Sequence, residues 1–412
     1  MKYGCIGEHL PHSFSKIIHA YLASNEYELC ELTPDEVGAF MQRKDFLGIN
    51  VTIPYKQTVM PYLDRIDQAA LEIGAVNTIV NRDGKLYGYN TDFGGMCAMI
   101  LREGISLEGK KVLVLGTGGT SKTARTVAAA MGAGETVTVS RTAKDGAIDY
   151  ETAYTKHADA EIIINTTPCG MYPKIGAAPV ELSRFPRLTG VIDAIYNPLR
   201  SELVLEAKRR NIPAVGGLYM LVAQAVLAST HFTGVEYGEE TMERVYRSIV
   251  ANKENIVLVG MPACGKSTVG AILAETMGKR LIDTDTYIVE KNGMPIPEIF
   301  AKYGEPYFRK LEHEAIEELS AQSGCVIATG GGAVLDPQNV HALRRNGRIY
   351  FLDRPIEELL PTEDRPTAST AEAIRQRYEE RYDIYCNSCD AHIRTLGVAA
   401  LTAEEIKRRH EA

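Results

Sequence analysis

The run Gly260-Met261-Pro262-Ala263-Cys264-Gly265-Lys266-Ser267 constrains this chain more than any other segment. It fits the G-x-x-x-x-G-K-[ST] phosphate loop, with an apolar strand-like run, Ile256–Val259, before it and a helical stretch, Thr268–Met277, after it. Such a loop needs a buried parallel strand on one side. On the other it needs a helix whose first N–H groups face the phosphates. An α/β unit is therefore required around it. Gly260, Cys264, Gly265 and Thr268 are expected to line ATP, Lys266 to answer the charge of its outer phosphates, and Ser267 to ligate Mg2+.

A second glycine-rich turn lies earlier. Gly116-Thr117-Gly118-Gly119 follows the apolar run Lys111–Leu115 and opens a helical stretch, Ser121–Met131. Ser121 stands where a G-x-G-x-x-G fingerprint has its third glycine, so the glycines alone are a weak sign. The next strand ends in Val139-Ser140-Arg141-Thr142. An acid there would hold a ribose 2′-hydroxyl, whereas a basic residue favours a 2′-phosphate. Gly116, Gly118, Gly119, Ser140, Arg141 and Thr142, with Lys144 in support, are therefore expected to bind NADP(H).

Around these loops the chain divides into three blocks. Residues 1–105 alternate short strands (Lys2–Ile6, Tyr27–Glu31, Gly48–Val51, Thr78–Arg82, Lys85–Gly88) with helices and read as a substrate domain, completed by helices about 220–250. Residues 106–219 repeat strand and helix in the manner of a parallel sheet covered on both faces. Residues 254–412 form the phosphate-loop domain, the boundary falling near Ala251–Glu254. A chain of 412 residues exceeds one ordinary core. The net charge of −8 gives no basic field for nucleic acid. No run approaches the roughly 18 apolar residues of a spanning helix, and no apolar leader precedes the first strand. A soluble, cytoplasmic protein without nucleic-acid or membrane partners is expected, with a homodimer left open. The eight cysteines are scattered, and Cys386-Asn387-Ser388-Cys389 has only His392 near it, so neither a zinc site nor a redox pair is expected.

Past the phosphate loop, Asp283-Thr284-Asp285 ends the run Arg280–Ile282, and residues two apart in a strand point to one side. One carboxylate can then serve Mg2+ while the other takes a hydroxyl proton. Further on come Phe308-Arg309-Lys310-Leu311-Glu312 and, after Cys325–Ala328, the loop Thr329-Gly330-Gly331-Gly332-Ala333. With Asp364-Arg365-Pro366 and Arg377–Tyr385, these segments occur in an order that resembles shikimate kinase over about residues 254–395. The resemblance implies a fold like that of the nucleoside-monophosphate kinases. It implies that Asp285, Arg309, Gly331, Gly332 and Arg381 hold shikimate, Asp285 being catalytic, and that Asp283 serves Mg2+. It also places Arg365 on a lid over ATP, although Thr367-Ala368-Ser369 stand where that family has apolar residues.

The first block carries polar groups at turns: Ser13 and Ser15, Asn50 and Thr52 before Lys56, Asn77-Thr78, and Asn90-Thr91-Asp92. Hydroxyls, amides and charges without metal-ligand spacing suit a polyhydroxylated small ligand. The segments His12-Ser13-Phe14-Ser15, Asn50–Lys56, Gly74–Thr78, Gly88–Asp92, Asn165–Met171, Asp193–Pro198 and Met220–Gln224 resemble shikimate dehydrogenase over about residues 1–250. By that resemblance Ser13, Ser15, Asn50, Thr52, Asn77, Tyr196 and Gln224 bind substrate, and Lys56 and Asp92 form the catalytic pair. The implied fold is a substrate domain joined to a Rossmann-type NADP domain. The implied activities are reduction of 3-dehydroshikimate and phosphorylation of shikimate. A quinate-type dehydrogenase and a metabolite sensor built on these domains are the rival readings. A sensor should have lost Lys56, Asp92, Lys266 or Asp285, and all four are present.

Overall fold

The computed structural model describes residues 1–10, 14–359, 371–395 and 397–411. Ser13, Arg365 and the Thr367-Ala368-Ser369 segment lie outside the described residues. The chain forms two compact units, Met1–Tyr246 and Arg247–Ala412, and the division falls inside the helix Glu239–Lys253.

The first unit holds two sheets. One contains β1 (Tyr3–Gly7), β2 (Tyr27–Glu31), β3 (Gly48–Val51), β4 (Arg65–Ile66), β5 (Thr78–Arg82) and β6 (Lys85–Tyr89), in the order β2-β1-β3-β5-β6-β4. Strand β5 runs antiparallel to both neighbours, and Asp83-Gly84, both at positive φ, turn the chain straight back from it into β6. The helix Leu218–Thr233 closes over this sheet: a Cβ on Gly48 would stand 2.2 Å from the Phe232 ring. The helix Thr91–Arg102 in turn lies so close to Leu218–Thr233 that a Cβ on Gly95 would meet the Met220 carbonyl at 2.7 Å.

The second sheet contains β7 (Lys111–Leu115), β8 (Glu135–Val139), β9 (Ile162–Asn165), β10 (Gly190–Asp193) and β11 (Ala214–Val215), in the order β11-β10-β9-β7-β8 and parallel throughout. Val112-Leu113-Val114-Leu115 are wholly buried, as a strand covered on both faces requires. The chain leaves β7 and β9 in opposite directions. Their carboxyl ends therefore flank a crevice of the kind in which open α/β sheets hold ligands.

The second unit repeats this logic with β12 (Asn255–Val259), β13 (Arg280–Asp283), β14 (Cys325–Ala328), β15 (Gly347–Asp353) and β16 (Ala391–Arg394), in the order β13-β14-β12-β15-β16 and all parallel. Central β12 is fully buried and delivers the phosphate loop at its carboxyl end. The strands foreseen from the sequence are present within a residue or two, and neither the two-residue β4 nor the seven-residue β15 was foreseen. One expectation is corrected. Asp285 is not a strand residue: β13 ends at Asp283, which caps the helix Thr284–Asn292 by accepting from the N–H groups of Asp285 and Thr286. Alternation along a strand therefore does not explain the pairing of Asp283 with Asp285. A capped helix start does: Asp283 closes the strand with its backbone while its carboxylate takes the free N–H groups of the next turn, which carries Asp285. Cys386 lies within the helix Ala371–Ser388.

Candidate active sites

In the first unit three loops converge below the carboxyl end of β3. Val76 N–H donates to the Lys56 carbonyl at 2.8 Å, and Thr91 N–H donates to Asn77 Oδ1 at 2.8 Å. Asn90 caps the helix Thr91–Arg102 through Phe93 N–H and donates its own amide to the Ala75 carbonyl at 2.9 Å. This stitching holds Lys56 and Asp92 side by side, with Lys56 Nζ donating to Asp92 Oδ2 at 2.5 Å. Both side chains keep some exposure, 25% and 17%, so the pair faces an opening rather than a sealed core. A charge-assisted bond in so restricted a setting is stronger than a surface ion pair.

The polar residues around that pair divide into two groups. Asn77 is buried, and its Oδ1 accepts from Thr91 N–H, Thr91 Oγ1 and Thr78 Oγ1, while no hydrogen bond among the described residues uses its amide N–H groups. Asn50 differs from the expectation of direct substrate contact. Both its amide hydrogens are committed, to the Asn77 carbonyl and to Thr78 Oγ1, and its Oδ1 accepts from the Tyr27 hydroxyl at 2.7 Å. Asn50 thus fixes the loop that carries Asn77. Tyr27, which sequence reasoning passed over as a strand aromatic, is braced in turn by the ring of His19 stacked 3.9 Å away. Burial pushes His19 down to about 3, so it braces as a neutral ring. Thr52 lies just beyond β3 and is half-buried, and Ser15 begins the helix Ser15–His19. Tyr196 meets the Phe14 ring edge-on at 5.4 Å, and burial raises its phenol. Gln224 is buried and donates to the Leu221 carbonyl at 2.8 Å.

At the carboxyl end of β7, Gly116 adopts φ +109, and a Cβ there would lie 2.8 Å from Thr166 Oγ1 after β9. Glycine at this position is dictated by both backbone and space. Gly118 and Gly119 have nothing within 4 Å of where a Cβ would stand, which leaves main-chain N–H groups at the start of the helix Gly119–Ala130 open to an approaching phosphate. Arg141 and Thr142 are exposed and Ser140 half-buried just past β8. This donor set fits a dinucleotide with a 2′-phosphate.

Asp193, at the end of β10, holds the far wall of that crevice. It is wholly buried, accepts from Asn165 Nδ2, Ile195 N–H and Ser201 Oγ, and burial pushes it up to about 6. Because the native carboxyl keeps its proton where the unfolded one has lost it, the associated stability is fully present below roughly pH 4. It is lost as pH rises through about 6. The shift corresponds to about 3 kcal/mol at most. Asp193→Asn keeps the acceptor oxygen and can donate to Ser201. It is expected to flatten that pH dependence and to match or exceed wild-type stability at pH 7.5, read as the urea midpoint for loss of dehydrogenase activity.

In the second unit the phosphate loop holds its own lysine: Lys266 is 7% exposed and donates to the carbonyls of Gly260 and Met261, both at 2.9 Å. Ala263 sits at φ +64, a conformation that favours glycine. Ser267 Oγ donates to Asp283 Oδ2 at 2.8 Å. These are two hard oxygens beside the loop. Such a donor set suits Mg2+, which is held by few protein ligands together with phosphate oxygens. Among the described residues no group of three or more His, Cys, Asp or Glu could hold a metal.

Beside the loop opens a cavity of about 550 Å³ lined by Asp285, Arg309, Glu312, Gly330, Gly331, Gly332, Arg381 and the apolar wall Pro262, Ile296, Phe300 and Phe308. The three glycines set its width. A Cβ on Gly330 would lie 2.8 Å from Asp285 Oδ1, one on Gly331 2.9 Å from the Pro262 ring, and one on Gly332 2.2 Å from Arg309 Nη1. Arg381 and the Tyr385 hydroxyl both donate to the Gly331 carbonyl, at 3.2 and 2.5 Å. Arg309 donates to Glu305 and Glu312. Glu312 was not singled out from the sequence, where it reads as one acid in a charged helix. It is 1% exposed, burial raises its carboxyl, and its Oε1 accepts no hydrogen bond.

Comparison with known proteins adds to this geometry. A family model for shikimate kinase matches residues 262–410, and one for the shikimate dehydrogenase substrate binding domain matches residues 5–79. The NADP(+) shikimate dehydrogenase of Clostridium perfringens is 36% identical over 271 residues, 60% of this chain and 97% of that protein. The chain belongs to the shikimate dehydrogenase family. It also carries a shikimate kinase domain, and so is a dehydrogenase–kinase fusion with both enzyme activities. A solved chorismate mutase/shikimate 5-dehydrogenase fusion from Clostridium acetobutylicum superposes with a TM-score of 0.57 at 30% identity, covering 60% of this chain and 96% of that one. The Thermus thermophilus shikimate 5-dehydrogenase, solved with NADP(H) and shikimate, gives 0.54 at 28% identity, covering 60% and 99%. The Rossmann-like and phosphate-loop folds expected from the sequence are those of these families, and NADP and ATP are the matching nucleotides. No helix among the described residues is long and apolar enough to cross a membrane.

Proposed function

We propose that the first unit reduces 3-dehydroshikimate to shikimate with NADPH, and that the second transfers phosphate from Mg·ATP to the 3-hydroxyl of shikimate. The observation that carries the first step is the Lys56–Asp92 pair at the meeting point of three loops. NADPH supplies the hydride. Lys56 gives a hydrogen bond, then a proton, to the ketone oxygen as it becomes a hydroxyl, and Asp92 orients the ammonium and restores its charge balance. Asn77 offers its amide hydrogens to the ring hydroxyls, with Ser13, Ser15, Thr52, Tyr196 and Gln224 as further contacts and Asn50 as the brace behind them. Gly116, Gly118, Gly119, Ser140, Arg141 and Thr142 hold the dinucleotide, the arginine taking the 2′-phosphate.

In the second unit Asp285 receives the proton of the acceptor hydroxyl, and Lys266, released from its carbonyls, meets the phosphate charge. Gly260, Cys264, Gly265 and Thr268 frame the nucleotide, with Arg365 as a further contact. Ser267 and Asp283 would hold Mg2+, which would supply neutralising charge there. Arg309, Arg381, Gly331 and Gly332 seat the acceptor, and Glu312 accepts from one of its hydroxyls. We place this chemistry in the cytoplasm.

The test is a coupled assay on the whole chain. With 3-dehydroshikimate, NADPH and Mg·ATP supplied, loss of nicotinamide absorbance is expected first, followed by ADP release that depends on it. ADP release that ignores NADPH, or none when shikimate is added directly, would contradict the proposal.

A further inference from the structure

The helix Ala371–Ser388 turns one stripe toward the triple-glycine loop, and positions 377, 381 and 385 fall on it at four-residue intervals. Tyr385 gives its hydroxyl hydrogen, and Arg381 one Nη1 hydrogen, to the Gly331 carbonyl. Arg377 lies one turn nearer the helix start, about 5 Å farther along the axis. Its Nη1 is buried and has no hydrogen-bond partner among the described residues. A buried guanidinium N–H left without an acceptor is costly, and such a group calls for a ligand to complete it. Its surroundings make the cost greater, since Arg309 and Arg381 add like charge and only Glu305 and Glu380 oppose them, without a hydrogen bond to it. Burial and those like charges together pull the guanidinium down from its ordinary value. Arg309, by contrast, already gives three of its donors to Glu305 and Glu312. Among the described residues the cluster thus holds a buried donor without a partner, Nη1 of Arg377, and a buried acceptor without one, Oε1 of Glu312. A ligand bearing both a carboxylate and hydroxyl groups answers both.

We infer that Arg377 binds the carboxylate of the phosphoryl acceptor, beside Arg309 and Arg381, and so makes this site select an acid over its neutral ester. The inference rests on the reading of this unit as a kinase acting on shikimate. Arg377→Met removes the charge and keeps an unbranched stem. On the full chain its KM for shikimate is expected to rise about ten- to a hundredfold, the loss typical of a charge-assisted hydrogen bond, with kcat and the KM for ATP unchanged. Wild type should favour shikimate over methyl shikimate by more than that factor, the variant should lose about ten- to a hundredfold of the preference while Arg309 and Arg381 keep the remainder, and Arg377→Lys should recover part of what is lost. A variant that keeps the wild-type preference for the acid overturns the inference. So does one whose KM for ATP, kcat and melting temperature fall away together, since that pattern marks a structural role. A wild-type chain that leaves shikimate unphosphorylated defeats the functional reading itself and this inference with it.

Discussion

Replacing Lys56 with methionine is expected to lower dehydrogenase kcat about a thousandfold, while the KM for 3-dehydroshikimate changes by only a few-fold. The ammonium is one half of a 2.5 Å pair, and its hydrogen-bonding partner Asp92 stands on a different element, the first turn of the helix Thr91–Arg102. Methionine fills similar space without a proton or charge, so the loss falls on the step in which the ketone oxygen turns negative. With binding proposed to be spread over hydroxyl and amide contacts on other loops, KM is insulated. Phosphoryl transfer, measured on the same preparation with added shikimate, should be unchanged and certifies that the chain is folded. A Lys56→Met enzyme retaining more than about a tenth of wild-type kcat would remove Lys56 from proton transfer.

The second large effect is expected at Asp285→Asn, where kinase kcat should fall by about 10²–10⁴ with dehydrogenase turnover unaffected. Asparagine matches the carboxylate in shape and keeps its seat against Gly330, whose missing Cβ is what lets Asp285 approach. It also keeps an acceptor oxygen for the substrate hydroxyl, but it cannot take the proton away. Shikimate KM should accordingly stay within a few-fold of wild type, as should ATP KM, because Ser267 and Asp283 are untouched. ADP release near wild-type rate would show that the hydroxyl loses its proton elsewhere.

How far the residues alone disclosed these sites depended on chain distance. The phosphate loop and the glycine turn after β7 were legible because each is a continuous segment whose backbone demands glycine, as Gly116 and Gly260 show with φ of +109 and +147. Asp283 and Asp285 were singled out, but by a strand reading that does not hold. The residues read as a strand continuation, whereas Asp283 had already become a helix cap. Asn50 looked like a ligand-facing amide, since nothing in its own segment reveals that Tyr27, Asn77 and Thr78, 23 to 28 residues away, consume its hydrogen bonds. Glu312 and Arg377 were illegible for the opposite reason. Each sits in a charged helical stretch that looks solvated, and only folding shows that one is 1% exposed and the other carries a buried, unanswered nitrogen.

The closure of the first sheet by the helix Leu218–Thr233 bears on how the protein is made. Strands β1 to β6 have all left the ribosome once Tyr89 has emerged, yet the ring that seats against Gly48 belongs to Phe232. At about 5–20 residues per second, the nascent sheet waits on the order of ten seconds for its cover, its apolar face open to chaperones in the meantime. The second unit waits as well, for its helix Ala399–Glu411 brings the fully buried Ile406 and comes after all of that unit's strands in the chain. Slow codons placed far enough beyond residue 233 for Phe232 to have cleared the ribosome would give the amino-terminal half time to close before the phosphate-loop half has emerged, and their loss should cost yield of active dehydrogenase without altering a single side chain.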